Sequence, residues 1–309
     1  MTVNFEDFNL RPELAQAITT LGYTQPTPIQ AGIIPLMQEG HDVTGQAQTG
    51  TGKTAAFALP ILNRIDPEQF LPQALVVAPT RELALQVTEM IQSLGQFMGV
   101  RVLTVYGGTS YTQQLNQLRR GVQVVVGTPG RILDLIKRGR LDLTEVHTVV
   151  LDEADEMLSM GFVEDVELIL AATPDERQTT LFSATLPPRI RELARRYLRN
   201  PKTVSIQSDQ VTVAATKQVV YYTNEHDKLA VLTRLFEMED ITSALIFTRT
   251  RVRTGELVNE LNMRGYPSEA LSGDLSQEAR EHTMARFRSG QVKVLVATDV
   301  AARGLDVEG

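Results

Sequence analysis

From residue 42 to 206, short runs of β-prone, almost wholly apolar residues alternate with amphipathic stretches of helical period, and this alternation constrains the fold more than any other feature. The runs fall at 42–45, 74–78, 102–106, 122–126, 148–151, 179–182 and 203–206. A strand with one wet face alternates polar and apolar side chains. Runs without a polar face must be covered on both sides, as in a parallel sheet between two helix layers. Helical stretches at 81–94, 111–118, 130–136, 163–171 and 188–198 supply those layers. The pattern predicts an α/β, doubly wound parallel sheet. Residues 1–40 read as a helical preface. Leu14, Ala17, Ile18 and Leu21 share one helix face, Gly22 ends it, and Pro26 and Pro28 precede a second helix at 29–37. Residues 207–216 (QSDQVTVAAT) are polar, small and aperiodic, which sets a linker at 208–217. Alternation then resumes, with strands expected at 218–222, 244–247, 268–271 and 292–297 and helices at 227–236, 252–262 and 277–288. The expected domains are thus 1–207 and 218–309, each doubly wound. The second is expected to be incomplete, because it stops at Gly309, short of the ~100–150 residues usual for such a domain.

The most specific local feature is Ala47-Gln48-Thr49-Gly50-Thr51-Gly52-Lys53-Thr54, between the run at 42–45 and a helix former that begins at Lys53. In a strand–loop–helix setting, glycines let successive backbone N–H groups converge on phosphate oxygens, and the helix adds the positive end of its dipole. Lys53 would reach the β- and γ-phosphates of a nucleotide, and the Thr54 hydroxyl would ligate Mg²⁺. Ala47 stands where the general pattern has its first glycine, a position whose backbone needs no unusual conformation. A second element follows the run at 148–151. Asp152 and Glu153 are paired carboxylates at the carboxyl end of a buried strand. Asp152 is placed to hold Mg²⁺ through water, and Glu153 to take a proton from an attacking water. Ser183-Ala184-Thr185 ends another run. Its two hydroxyls could bond Asp155 and report what is bound, or Thr185 could simply cap the helix after Pro187 and Pro188.

Composition removes other chemistries. The chain has no Cys, which excludes disulfides, thiol catalysis and Cys-based zinc sites. Its four His, at 41, 147, 226 and 282, show no metal-site spacing. No apolar run reaches the ~20 residues of a membrane span, and residues 1–10 carry no basic-then-apolar leader. A cytoplasmic, reducing location is expected. The net charge of −7 argues against bulk electrostatic capture of nucleic acid but leaves room for a local basic track.

Asp152-Glu153-Ala154-Asp155 spells the signature of the DEAD-box RNA helicases, and the rest of the chain resembles that family in order. Residues 22–30 (GYTQPTPIQ) are similar to its adenine-reading Q motif, with Phe5 as the upstream aromatic. Gln30 offers a donor and an acceptor to an adenine edge, and Tyr23 a ring face. Pro79-Thr80-Arg81, Gly107-Gly108 and Thr128-Pro129-Gly130-Arg131 resemble its RNA-contacting motifs, each at a strand-to-helix junction. In the second half, Thr248-Arg249, the segment Gly273 to Arg280 with Gln277, and residues 296–306 resemble further motifs. The resemblance implies two RecA-like domains, ATP and Mg²⁺ in the first, and RNA contacted by Thr248, Arg249, Gly273, Gln277, Arg280 and Thr298 as well. It places Gly304 and Asp306 near the nucleotide. It implies an ATP-dependent, monomeric remodeller of RNA with little sequence preference, because its contacts go to phosphate and sugar. Two departures stand out. Ser272 replaces a histidine found in many members. The chain also ends before the family's arginine-finger segment, so weak RNA-stimulated turnover is expected, or a nucleotide- and RNA-binding module with little turnover. A P-loop enzyme of another class would leave residues 22–30 and the whole second half unexplained.

Overall fold

The computed structural model describes residues 3–48, 50–206, 217, 219–239, 241–272 and 275–298. The chain divides into two compact units near residue 209. In the first, seven strands form one parallel sheet: β1 Val43–Gln46, β2 Ala74–Val77, β3 Val102–Val105, β4 Val124–Gly127, β5 Thr148–Leu151, β6 Gln178–Ser183 and β7 Lys202–Ser205. Their order across the sheet is β3-β4-β2-β5-β6-β1-β7. Among the described residues nine α-helices accompany them: α1 Pro12–Thr20, α2 Pro28–Gln38, α3 Lys53–Arg64, α4 Arg81–Leu94, α5 Tyr111–Arg119, α6 Pro129–Lys137, α7 Ala154–Ser159, α8 Val163–Ala171 and α9 Pro188–Tyr197.

The unbroken apolar runs have the structural cause expected of them. Side chains alternate across a strand, so Ala74, Val76 and Ala78 enter one core with α1 to α4, while Leu75 and Val77 enter the other with α6 to α9. Both faces of β2 are fully buried. β7 is the exception, a polar edge strand with exposed side chains, which suits the open side of a sheet. Buried Asp42 fixes that corner: its carboxylate accepts from Thr179 N (2.8 Å) and Arg199 N (2.6 Å).

The second unit contains α10 Lys228–Met238, β8 Ala244–Thr248, α11 Arg251–Met263, β9 Ser268–Leu271, α12 Gln277–Arg288 and β10 Val294–Thr298. Its parallel sheet has the order β8-β10-β9. Leu271, Met284, Phe287 and Leu295 pack on one face, and Leu257, Leu261, Val294 and Val296 on the other. The strand expected at 218–222 is corrected here. Residues 219–222 are irregular and exposed, Tyr222 to 97%. Their β-branched and aromatic side chains favour an extended backbone, but a strand also needs a ladder partner, and they have none among the described residues. The linker at 208–217 lies outside the described residues except for Lys217.

Candidate functional site

The strand-end motifs of the first unit share the carboxyl edge of its sheet, and strand order sorts them into two groups. Gly107-Gly108, Thr128–Arg131 and Pro79–Arg81 follow β3, β4 and β2, three adjacent strands. Asp152–Asp155, Ser183–Thr185 and the loop 47–54 follow β5, β6 and β1, the next three.

In the second group the loop leaves β1 with Ala47 buried and its N–H donating to the Ser183 carbonyl (3.3 Å). Gly50 and Gly52 have φ of 80° and 90°, open only to glycine at little cost. A Cβ on Gly52 would lie 2.6 Å from Gln30 Nε2 and 3.0 Å from Thr27 Oγ1. Thr27 Oγ1 is itself buried with no hydrogen-bond partner among the described residues. Thr51 Oγ1 donates to the Gln48 carbonyl (2.8 Å) inside the loop, and Thr54 lies in the first turn of α3. Thr49 lies outside the described residues. Lys53 is only 6% exposed. Its ammonium donates to the Ala47 carbonyl (3.1 Å) and forms no ion pair among the described residues. The Asp152 and Glu153 carboxyls feel its charge without forming an ion pair with it, and an anion in this loop would add to what offsets the cost of burying it.

Gln30 binds the loop to the helical preface. Its Oε1 accepts from Thr27 N (2.9 Å) and its Nε2 donates to the Gly52 carbonyl (3.1 Å). Each uses one of two bonding positions, so one donor and one acceptor remain. Phe5 stacks on Tyr23 with ring centroids 6.1 Å apart and covers one face of that ring. The Tyr23 hydroxyl donates to Met90 Sδ (3.4 Å), and burial raises its pKa.

The acid pair is set by backbone. Asp152 is 1% exposed, its N–H donates to the Val77 carbonyl of β2 (2.9 Å), and its Oδ1 accepts from Glu153 N (3.0 Å). Burial raises the Asp152 carboxyl, against the opposing pull of Lys53 and that N–H. Glu153 has φ 51° and ψ 53°, a left-handed conformation rare for a glutamate, just before α7. Burial, helped by the Asp152 charge and resisted by Lys53, pushes its carboxyl up to about 7. Asp155 goes the other way. Burial acts to raise it, but hydrogen bonds from Thr185 and Ser183 outweigh burial and hold it below the usual carboxylate range. Thr185 donates to Asp155 Oδ2 through both N (2.9 Å) and Oγ1 (2.8 Å). Ser183 Oγ accepts from Asp155 N (3.3 Å) and donates to the Thr185 carbonyl (2.5 Å). Thr185 therefore does not cap α9, whose N-cap is Pro187.

The first group is tied together as closely. Thr80 caps α4, accepting from Leu83 N (3.2 Å). Arg81 leans on the β3 turn: a Cβ on Gly108, where φ is 86°, would lie 2.7 Å from its Nη1, and one on Gly107 3.9 Å from its Nη2. Thr128 N donates to the Val105 carbonyl (3.0 Å), and Pro129 and Gly130 open α6. The Arg131 guanidinium lies 5.3 Å from the centroid of the Tyr111 ring and donates to Gln114 Oε1 (2.8 Å). Sequence reasoning missed Tyr111 and Gln114. The signal was Gln114, a polar residue on the same helix face as Leu118, where an apolar one belongs.

In the second unit Thr248 and Thr298 are register partners at the carboxyl ends of β8 and β10. Thr248 Oγ1 is also 2.6 Å from Thr254 Oγ1. Arg249 is exposed beside it, and Arg280 is half-buried on α12. Arg253 pairs with Glu260 (3.3 Å) and Glu256 (3.5 Å), so it belongs to a helix-surface ion-pair network. Gly273, the Gln277 side chain, Gly304 and Asp306 lie outside the described residues. A cavity of about 750 Å³ opens elsewhere, lined by Asp7, Gly40, Arg64 and Gln178 among others. These residues mark the amino edge of the first sheet, and no sequence-predicted site residue lines the cavity. Among the described residues no helix is long and apolar enough to cross a membrane.

A parallel sheet that ends in a glycine-rich loop with a buried lysine, two strands from a buried acid, defines the P-loop class of α/β proteins. Residues 27–193 match the DEAD/DEAH box helicase family model, and 227–309 match that of the helicase conserved C-terminal domain. The chain belongs to the DEAD-box helicase family. It is 50% identical over 305 residues to the DEAD-box ATP-dependent RNA helicase CshA of Geobacillus kaustophilus, covering 99% of this chain and 65% of the relative. It is 51% identical over 305 residues to the ATP-dependent RNA helicase DeaD of Escherichia coli, covering 98% and 48%. The chain thus spans about half to two thirds of the length of these relatives. Among solved structures, S. cerevisiae Dbp5 bound to RNA and ADP BeF3 matches with a TM-score of 0.89 and 36% identity, over 98% of this chain and 78% of that one.

Proposed function

We propose that this chain is an ATP-dependent RNA-remodelling enzyme of the DEAD-box type. The observation that carries the reading is the division of one sheet edge into a phosphate-loop half and an RNA-motif half. The buried Lys53 ammonium and the left-handed glycines fit a triphosphate. Among the described residues no cluster of three or more His or acidic side chains could hold a metal by itself. The Asp152 carboxylate and Thr54 hydroxyl instead suit Mg²⁺, which keeps several waters and completes its shell with substrate phosphates. The ion would neutralise charge on those phosphates. Glu153 takes the proton from the attacking water, Lys53 holds phosphate charge, and Asp155 with Ser183 and Thr185 links the acid loop to the end of β6. Thr80, Arg81, Gly107, Gly108, Thr128 and Arg131 hold RNA phosphate and sugar, which leaves base sequence largely unread. Thr248, Arg249, Arg280 and Thr298 supply the second unit's contacts. The protein works as a monomer in the cytoplasm.

Phosphate release should rise when single-stranded RNA is added, and a non-hydrolysable ATP analogue should tighten RNA binding, since coupling between two ligands is reciprocal. Turnover and RNA affinity each indifferent to the other ligand would overturn the assignment.

Adenine nucleotides should be preferred. The remaining donor and acceptor of Gln30 match the N7 and N6 groups of adenine, whereas guanine offers an acceptor where adenine has a donor. A mispaired buried polar edge costs roughly 1–3 kcal/mol, so ADP should bind ~10-fold or more tighter than GDP. Equal affinities in a fluorescent-nucleotide competition would remove this role from Gln30.

A further inference from the structure

The geometry points to Gln114 as a positioning residue that builds the RNA-motif half of the edge. Gln114 lies on α5, 5% exposed, and all three of its described side-chain bonds reach residues around that edge. Its Nε2 donates to the Tyr106 carbonyl (3.2 Å) and to Thr109 Oγ1 (2.7 Å), gripping the turn that carries Gly107 and Gly108 from both sides. Thr109 Oγ1 closes the ring by donating to the same Tyr106 carbonyl (3.2 Å). Its Oε1 accepts from Arg131 Nη1 (2.8 Å), and the Arg131 guanidinium also lies against the Tyr111 ring (5.3 Å). One carboxamide thereby fixes the turn after β3 and the arginine after β4 in a single geometry. The turn is glycine-rich and left-handed at Gly108, and a free arginine carries several rotatable bonds. Arg81 beside the turn, the Thr109–Tyr106 bond and the Tyr111 ring against Arg131 would remain without Gln114, but the bond that couples the two would be lost, and RNA would have to complete their ordering at the cost of binding. Both amide hydrogens are committed, so Gln114 acts through its neighbours and does not itself contact RNA.

This inference rests on the reading of Gly107, Gly108 and Arg131 as RNA contacts, and the test separates the two. Fluorescein-labelled oligouridylate binding is measured by anisotropy with a non-hydrolysable ATP analogue present, alongside nucleotide affinity and melting temperature. The variants are Gln114→Leu, Thr109→Val, Arg131→Ala and the double variant Gln114→Leu/Arg131→Ala. Gln114→Leu should weaken RNA binding about fivefold or more through lost preorganisation while nucleotide affinity stays within twofold of the parent. Thr109→Val, a near-isosteric change at a partly exposed site, should weaken it less, by ~2–5-fold, and serves alone where Gln114→Leu fails to fold. The double variant should bind little worse than Arg131→Ala, as expected of residues that act as one unit. Multiplying effects, unchanged RNA affinity in both Gln114→Leu and Thr109→Val, or equal losses of RNA and nucleotide affinity would overturn the positioning role. RNA affinity unchanged in Arg131→Ala would overturn the RNA reading of this edge, and the positioning role with it.

Discussion

Glu153→Gln is expected to abolish ATP turnover, leave nucleotide affinity nearly unchanged, and make the folded protein more stable above pH 7. In the proposed role the carboxylate is needed only when water loses its proton, and such a base contributes roughly 10²–10⁴ in rate. Its position bears no charge that the ground-state phosphates require. Lys53→Ala should do the opposite, since in the proposed role that ammonium would meet the phosphates already in the bound state and its loss would appear as weakened binding. The pH dependence follows from the carboxyl pushed up to about 7 against an ordinary 4.5. Turnover should rise with pH through that value as the base ionises. Stability runs the other way. Between the two values the folded state holds a proton that the unfolded state has released, so stability is full below the lower one and is lost as pH rises through about 7. A neutral glutamine avoids that loss, which amounts to roughly 1–3 kcal/mol for a largely buried group. Thermal melts of parent and variant at pH 5 and pH 8 measure it, next to phosphate release and nucleotide titration. A variant that binds nucleotide as poorly as Lys53→Ala, or that gains no stability at pH 8 relative to pH 5, would remove the role given to Glu153.

Gly127→Ala should damage the fold more than any change at the loop glycines. Gly127 is the last residue of β4, between β3 and β2. A Cβ there would lie 2.3 Å from the Val105 carbonyl oxygen and 2.5 Å from Val105 Cγ2. The obstacle is backbone, and that carbonyl already accepts from Thr128 N (3.0 Å), while the Gly127 carbonyl accepts from Ala78 N (2.9 Å). Making room would break ladder bonds between β3, β4 and β2. Overpacking of this kind costs about 2–3 kcal/mol, which lowers the melting temperature by about 5–10 °C for a unit of this size. The displaced end of β3 carries Gly107 and Gly108, and the residue next to Gly127 is Thr128. RNA affinity should fall before nucleotide affinity, because β5, β6 and β1 lie beyond β2. A melt within about 1 °C of the parent would fall below the predicted cost, and a fall in nucleotide affinity as large as that for RNA would contradict the spatial division.

Much of this was legible from residue order, for physical reasons that vary by element. Strands covered on both faces show as runs that are mostly apolar, and β2 to β6 fall close to where those runs lie, although β6 buries Gln178, Thr179, Thr180 and Ser183 as well. The loop after β1 was legible as a strand–loop–helix turn because only glycine takes the left-handed backbone of Gly50 and Gly52 at little cost, just before the helix that starts at Lys53. The run at 219–222 misled because β-propensity describes a side chain's fit, whereas a strand is a relation between two segments. Thr185 was ambiguous because a hydroxyl after a strand can serve a cap or a carboxylate, and only the fold brings Asp155 within 2.8 Å. The left-handed backbone at Glu153 has no sequence signal at all. Gln114 has a faint one, but its three partners come from the β3 turn and α6, which adjoin only once β3 and β4 have paired.

The position of β1 also bears on how the protein is made. β1 emerges early in synthesis, yet its neighbours in the sheet are β6, where Val43 pairs with Thr180, and β7, where it pairs with Lys202. A ribosome must therefore deliver most of the first unit before the loop gains the side of its surroundings that β5 and β6 supply, although Thr27 and Gln30 precede it. Until then the nascent chain carries the glycine-rich loop without its final surroundings, and on the proposed function nucleotide capture would mark the completion of the sheet.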